Sequence, residues 1–75
     1  MRDLAAKKLY IMSDFKQRLE TEKTELVEKM TKLSDFTKTD NFVKIEPIQQ
    51  SLLLIQLKAM QTYDQCLAAR LTWLG

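Results

Sequence analysis

The chain has 75 residues, of which 45% are hydrophobic and 29% are charged, and it contains one Gly and one Pro. This length allows one domain at most, and the composition excludes disordered and collagen-like chains. The 12 basic and 10 acidic residues leave a net charge of +2, which is too balanced for the broad basic surface of a duplex-binding protein.

The first predicted element is a short helix over residues 1–12, with Asp3 as its N-cap. A second capping pattern follows at Ser13 and Asp14, and it predicts that the first long helix covers residues 14–36. Glu and Lys residues three or four positions apart support an exposed face on this long helix.

A turn is predicted between the two long helices. The polar cluster of residues 37–41 marks the turn, and Phe36 and Phe42 are expected to close the turn end of the core. Pro47 suits the first turn of a helix, because its φ is fixed and its missing N–H is not needed there. The second long helix is therefore predicted over residues 47–74, and the short connection favours antiparallel packing.

The second long helix is too apolar to be covered by one partner helix. Besides its seam it has a flanking row formed by Leu52, Ala59, Cys66 and Trp73. Cys66 is expected to be a small buried residue of this row. We therefore predict an all-α domain over residues 1–75, a short N-terminal helix plus a long antiparallel helical hairpin, assembled as a homo-oligomer through the second long helix.

Catalysis and metal binding have few residues to use. The chain has one Cys and no His, so it can form neither an intrachain disulfide nor a Cys/His zinc site. It also lacks a Gly-rich phosphate loop and a nucleophile beside a base, and its Glu residues fit a solvated helix face. We expect no enzyme activity, no metal and no cofactor. Neither a signal peptide nor a membrane span is predicted, and cytoplasmic residence fits the single Cys.

The two long helices repeat every seven residues, and one seam position is always apolar. The apolar series are Leu19, Leu26, Leu33 and Leu53, Met60, Leu67, Leu74. We assign the other seam position to Phe15, Glu22, Lys29, Phe36 and to Gln49, Gln56, Tyr63, Arg70. Long polar side chains in a seam need partners. The pattern favours register-setting contacts between the helices.

A functional interpretation of the same residues is a pocket for an anion with planar groups. The candidate donors are Arg18, Lys23, Lys29, Lys32 and Arg70. The candidate flat surfaces are Tyr10, Phe15, Tyr63 and Trp73. Charge-assisted hydrogen bonds and stacking would both be available to such a ligand.

Several short motifs resemble a family of small phage proteins. They are FKQRL at 15–19, EKTEL at 22–26, EKMTKL at 28–33, and QLKAMQTY followed by LAAR in the second long helix. The family carries a helical hairpin domain that two groups of anti-defence sponges share, one directed at CBASS and the other at Thoeris. The resemblance covers about residues 14–74.

The resemblance implies function by sequestration in the cytoplasm of the host cell. Members of the family are phage-encoded oligomers, commonly hexamers in the CBASS-directed group. They bind a cyclic di- or trinucleotide or a cyclic ADP-ribose isomer without cleaving it. Neither a membrane nor duplex nucleic acid is an expected partner. The rival interpretation is a helical hairpin adaptor that binds only protein partners.

The resemblance also implies which residues bind the ligand. The family uses an N-terminal aromatic residue, a lysine on the first long helix and an arginine near the end of the second. On this chain the matches are Tyr10 or Phe15, then Lys29, then Arg70. The sequence lacks the Gly-Tyr-Arg stretch that better characterised sponges carry near the N-terminus, and Arg18 is the candidate for the related role.

Overall fold

The computed structural model describes the backbone of residues 3–74 and the side chains of residues 14–74. Helix α1 covers Asp3–Phe36, α2 covers Asp40–Lys44 and α3 covers Pro47–Leu74, and these described residues contain no strand. The chain reverses between α1 and α3, which pack side by side in a body of 63 × 15 × 15 Å. The protein is all-helical, with long helices packed together. No helix in the described range is long and apolar enough to cross a membrane.

The chain forms one long first helix where the sequence predicts two. α1 continues without a break through Ser13 and Asp14, so the predicted boundary between residues 1–12 and 14–36 is wrong. Ser and Asp favour capping positions, but neither of them breaks a helix as Gly or Pro does. Within α1 the Asp14 carboxylate forms an ion pair with Arg18, one turn further along. Ser13 and Asp14 therefore lie in the interior of α1 and do not begin a new helix.

The turn between the long helices contains the short helix α2, which the sequence did not predict. Phe42 on α2 is 7% exposed, and its ring meets Phe36 edge-on with centroids 5.9 Å apart. This contact confirms that the two Phe residues close the turn end of the core. Gln50 Nε2 donates hydrogen bonds to the carbonyl oxygens of Ile45 at 2.8 Å and Val43 at 3.3 Å. These bonds fix the start of α3 to the end of α2.

The core is a leucine-rich seam between α1 and α3. Leu67 is fully buried, while Leu19 and Leu26 are 4% and 8% exposed. Partly buried side chains that complete the seam are Met30, Met60, Leu71 and Leu74. The heptad spacing keeps these side chains on one face of each helix, where they interlock. The apolar seam series is therefore the one that the sequence predicts.

The second seam series lies one residue away from the predicted one. It is formed by the half-buried residues Lys23, Met30, Leu57, Asp64 and Leu71. Of the residues assigned to it from the sequence, Phe36 is half-buried and the others are exposed at its edge: Phe15, Glu22, Lys29, Gln49, Gln56, Tyr63 and Arg70. A heptad permits a step of either three or four residues after each leucine. The four-residue step is the one observed, because it brings Leu57 and Leu71 into the core.

The outer face of α3 carries a second line of apolar and small side chains, which we term the outer stripe. Its members are Ile48, Leu52, Ile55, Ala59, Thr62, Cys66, Ala69 and Trp73, all of them exposed. Trp73 is 90% exposed, the largest value among the exposed large apolar residues. The expectation that Cys66 is buried is wrong, because its thiol lies on this stripe.

Candidate functional site

Phe15 and Arg70 meet at the open end of the hairpin. The guanidinium carbon of Arg70 lies 5.5 Å from the centre of the Phe15 ring, within the range of a cation–π interaction. Phe15 lies one turn before Leu19 on α1, and Arg70 lies just beyond Leu67 on α3. Burial of the two leucines therefore positions the pair. The Phe15 ring remains 43% exposed, so it can still stack against a planar group.

Arg18 lies one turn along α1 from Phe15 and belongs to the same end of the molecule. Its side chain is 78% exposed, and its Nη2 lies 3.1 Å from Asp14 Oδ2. An exposed ion pair at this helical spacing contributes only a few tenths of a kcal/mol. A ligand anion can therefore replace Asp14 as the partner of Arg18. Three of the predicted site residues thus share the open end: Phe15, Arg18 and Arg70.

Lys29 does not belong to this group. It is exposed and follows Phe15 by 14 residues, which corresponds to about 21 Å along α1. One chain therefore does not bring Lys29 and Arg70 to a common ligand. Tyr10, the alternative aromatic residue, lies outside the residues whose side chains the structure describes.

Two shallow depressions lie on the outward face of α1, with volumes of about 380 and 710 Å³. The smaller is lined by Asp14, Gln17, Arg18, Thr21, Glu22 and Glu25. The larger is lined by Gln17, Glu20, Thr21, Thr24, Glu25 and Glu28. Each contains three carboxylates, and Arg18 is the single base in either lining. Both depressions therefore repel an anion, whereas the edge beside Arg70 presents a cation next to an aromatic ring.

Lys23 and Asp64 form an ion pair inside the helix seam. Lys23 Nζ lies 2.8 Å from Asp64 Oδ1, and the side chains are 30% and 23% exposed. Lys23 was a candidate donor to a ligand anion, but its ammonium group is engaged by this carboxylate. Sequence analysis missed the pair because it placed the seam one residue away. When the seam follows the observed four-residue step, Lys23 and Asp64 occupy facing seam positions, and their opposite charges predict the ion pair.

The contribution of this pair to stability can be measured with a double-mutant cycle. Asp64→Leu alone is expected to lower the free energy of unfolding by about 1–2 kcal/mol, because Lys23 stays half-buried without a partner. Adding Lys23→Met is expected to recover most of the loss, because two apolar side chains then fill the seam. Urea unfolding of the wild type, both single variants and the double variant gives the coupling energy. Simple additivity of the two losses would contradict the expectation.

The groups at the open end can stack and form ion pairs. Arg70 supplies a planar cation with five N–H donors, and Phe15 supplies an aromatic face. Among the side chains that the structure describes, no group of three or more His, Cys, Asp or Glu residues is placed to hold a metal ion. The arrangement therefore suits recognition of an anion that carries planar rings.

Comparisons with known proteins show which family and which relative this chain is similar to. A family model described as Sequestin matches residues 13–72. A protein of Enterobacteria phage T4, described as an uncharacterized 7.5 kDa protein in the denB-rIIB intergenic region, is 32% identical over 60 residues. That alignment covers 80% of this chain and 94% of the phage protein. No solved structure matches the chain. The region matched by the family model contains Phe15, Arg18, Lys29 and Arg70, but not Tyr10.

Proposed function

The chain belongs to the Sequestin family, and from that premise we propose that it binds and sequesters a cyclic oligonucleotide or cyclic ADP-ribose-type immune signal without cleaving it. The family name denotes sequestration, and the relative in phage T4 is a viral protein. In this proposal the chain is a phage anti-defence protein that acts in the host cytoplasm. It withholds the signal from the host effector that the signal would activate.

The observation that carries the proposal is the Arg70 guanidinium held over the exposed ring of Phe15. A cyclic nucleotide signal is a compact polyanion with planar bases, so it needs both a cation and a stacking surface. Arg70 can donate paired hydrogen bonds to a phosphate, while the ring or the guanidinium plane receives a base. Arg18 adds a second cation one helical turn away.

Self-association is part of the proposal. Among the side chains of residues 14–74, those at the open end of one hairpin form an edge that does not enclose a ligand, and Lys29 lies too far along α1 to reach the same molecule. Residues from a second copy would complete the pocket, and the exposed outer stripe of α3 supports such an assembly. The resemblance to the CBASS-directed sponges makes six copies the expected number.

A calorimetric titration against cyclic dinucleotides, cyclic trinucleotides and cyclic ADP-ribose isomers tests the proposal. We expect one of these classes to bind with a dissociation constant in the micromolar range or below, as for a ligand that must be withheld from a receptor. Bound ligand released by heat denaturation is then analysed by mass spectrometry. Release of the intact ligand supports sequestration, whereas release of a cleaved ligand would make the protein an enzyme.

The same titration distinguishes sequestration from a second function, that of an adaptor which binds only protein partners. The observation that favours the adaptor is the outer stripe, an apolar surface that a protein partner could cover. If none of the three ligand classes produces heat or raises the melting temperature, sequestration of these signals is wrong and the adaptor is favoured.

A further inference from the structure

The outer stripe of α3 is graded in size along the helix. Its first three members, Ile48, Leu52 and Ile55, are branched aliphatic residues that are 60%, 48% and 64% exposed. Its next four members are small: Ala59, Thr62, Cys66 and Ala69. The stripe therefore has a bulky first half and a shallow second half, with Trp73 at its end.

The spacing of the stripe is the same when read in either direction. Successive members are separated by four, three, four, three, four, three and four residues. An antiparallel copy of α3 can therefore face every member with another member. Ile55 then meets Cys66 and Leu52 meets Ala69, so these two bulky side chains lie over small ones, while Ile48 meets Trp73 at the outer ends of the contact.

A parallel copy would not fit in this way. It would set Ile55 against Ile55 at one end of the contact and Ala69 against Ala69 at the other. The bulky half would hold the helices apart, and voids would remain between the small residues of the other half. Such voids forfeit the contacts that close packing supplies.

The described surface offers the outer stripe no other apolar counterpart of comparable length. Large apolar side chains exposed elsewhere are single residues on three different helices: Phe15, Val27, Val43, Leu54 and Tyr63. The outward face of α1 carries the carboxylates that line the two depressions. Among the residues described, the surface that matches the outer stripe is therefore the stripe of a second copy.

We propose that the outer stripes of two copies pack antiparallel, with Ile55 of each copy against Cys66 of the other. This inference rests on the self-association proposed above and specifies its surface, direction and register. Ala59 and Thr62 lie at the two-fold axis, where small side chains let two helices approach to about 8 Å. Facing residues at that separation are close enough for a disulfide between the copies.

The test is oxidative cross-linking of Ile55→Cys, which places a second thiol opposite the native Cys66. After mild oxidation, non-reducing electrophoresis is expected to show roughly ten times more linked dimer for this variant than for the wild type. The wild type should remain mostly unlinked, because the two Cys66 residues of an antiparallel pair are 11 positions apart in register, about 16 Å. Efficient linking of the wild type would overturn the antiparallel direction.

Two matched variants test the register. Leu54→Cys places a thiol beside Ile55 on an exposed residue outside the stripe, and it should link no more than the wild type. Ile55→Cys combined with Cys66→Ser should also stay unlinked. Sedimentation of the reduced proteins separates the possible failures: an oligomer in which Ile55→Cys links no more than Leu54→Cys uses another surface, and a monomer overturns self-association itself. The test contains no ligand, so its outcome is independent of the signal that is bound.

Discussion

Leu67→Ala is expected to lower the free energy of unfolding by about 3 kcal/mol, within a range of roughly 2–5 kcal/mol. Leu67 is 0% exposed and belongs to the same core cluster as Leu19 and Leu26. Removing its side chain leaves a cavity that two straight helices cannot close by moving a single residue. A domain of this size has a total stability of only about 5–10 kcal/mol. The variant should therefore be partly unfolded near 37 °C.

Urea unfolding followed by circular dichroism at 222 nm measures this loss. Leu54→Ala is the matched control, because it removes the same atoms from a residue that is 49% exposed on the same helix. Its expected cost is below about 1 kcal/mol. Equal losses for the two variants would contradict the central position of Leu67 in the core.

Arg70→Ala is expected to weaken ligand binding by roughly 10- to 100-fold. The variant removes the cation that we propose to contact the ligand at the open end, and charge-assisted hydrogen bonds of this kind contribute about 1.5–3 kcal/mol. The Phe15 ring remains, so stacking should persist and binding should weaken without being abolished. Calorimetry with the ligand that the wild type binds gives the two dissociation constants.

Lys58→Ala is the control for Arg70→Ala, because Lys58 is also an exposed base on α3 but precedes Arg70 by 12 residues, about 18 Å along the helix. Its binding should match the wild type within about twofold, since an exposed charge at this distance from the site is screened. Sedimentation shows whether Arg70→Ala still assembles. If Arg70→Ala binds normally, the site is misplaced, and if it loses assembly, Arg70 has a structural role.

Local patterns in the sequence predict the ends of the hairpin well. Pro47 marks the first residue of α3, and α1 ends at Phe36, because a ring-constrained residue and a polar cluster leave the backbone few alternatives. The predicted helix boundary near Ser13 is wrong, because the residues there leave the backbone free to continue as a helix. Capping residues only favour a helix start, and a neighbouring basic residue can hold them inside a continuous helix.

Contacts between the helices were harder to predict. Heptad spacing identifies the leucines, but it does not decide whether the next seam residue comes three or four positions later. That single choice moves Glu22 and Lys29 to the surface and brings Lys23 and Met30 inward. The contact between Phe15 and Arg70 likewise depends on how α1 aligns with α3, so the pattern of either helix alone does not predict it.

The ion pair between Lys23 and Asp64 has a consequence for alignment errors. The middle of a leucine seam with a seven-residue repeat tolerates a slip of one heptad, because Leu19 and Leu26 would then face Met60 and Leu53. Such a slip would set Lys23 against Leu57 without a partner, at a cost of about 1–2 kcal/mol, while Asp64 would face Lys16. It would also place Tyr63, in place of Arg70, beside Phe15. A salt bridge about 12 Å away along α1 thus favours the alignment in which the open end presents a cation instead of a phenol.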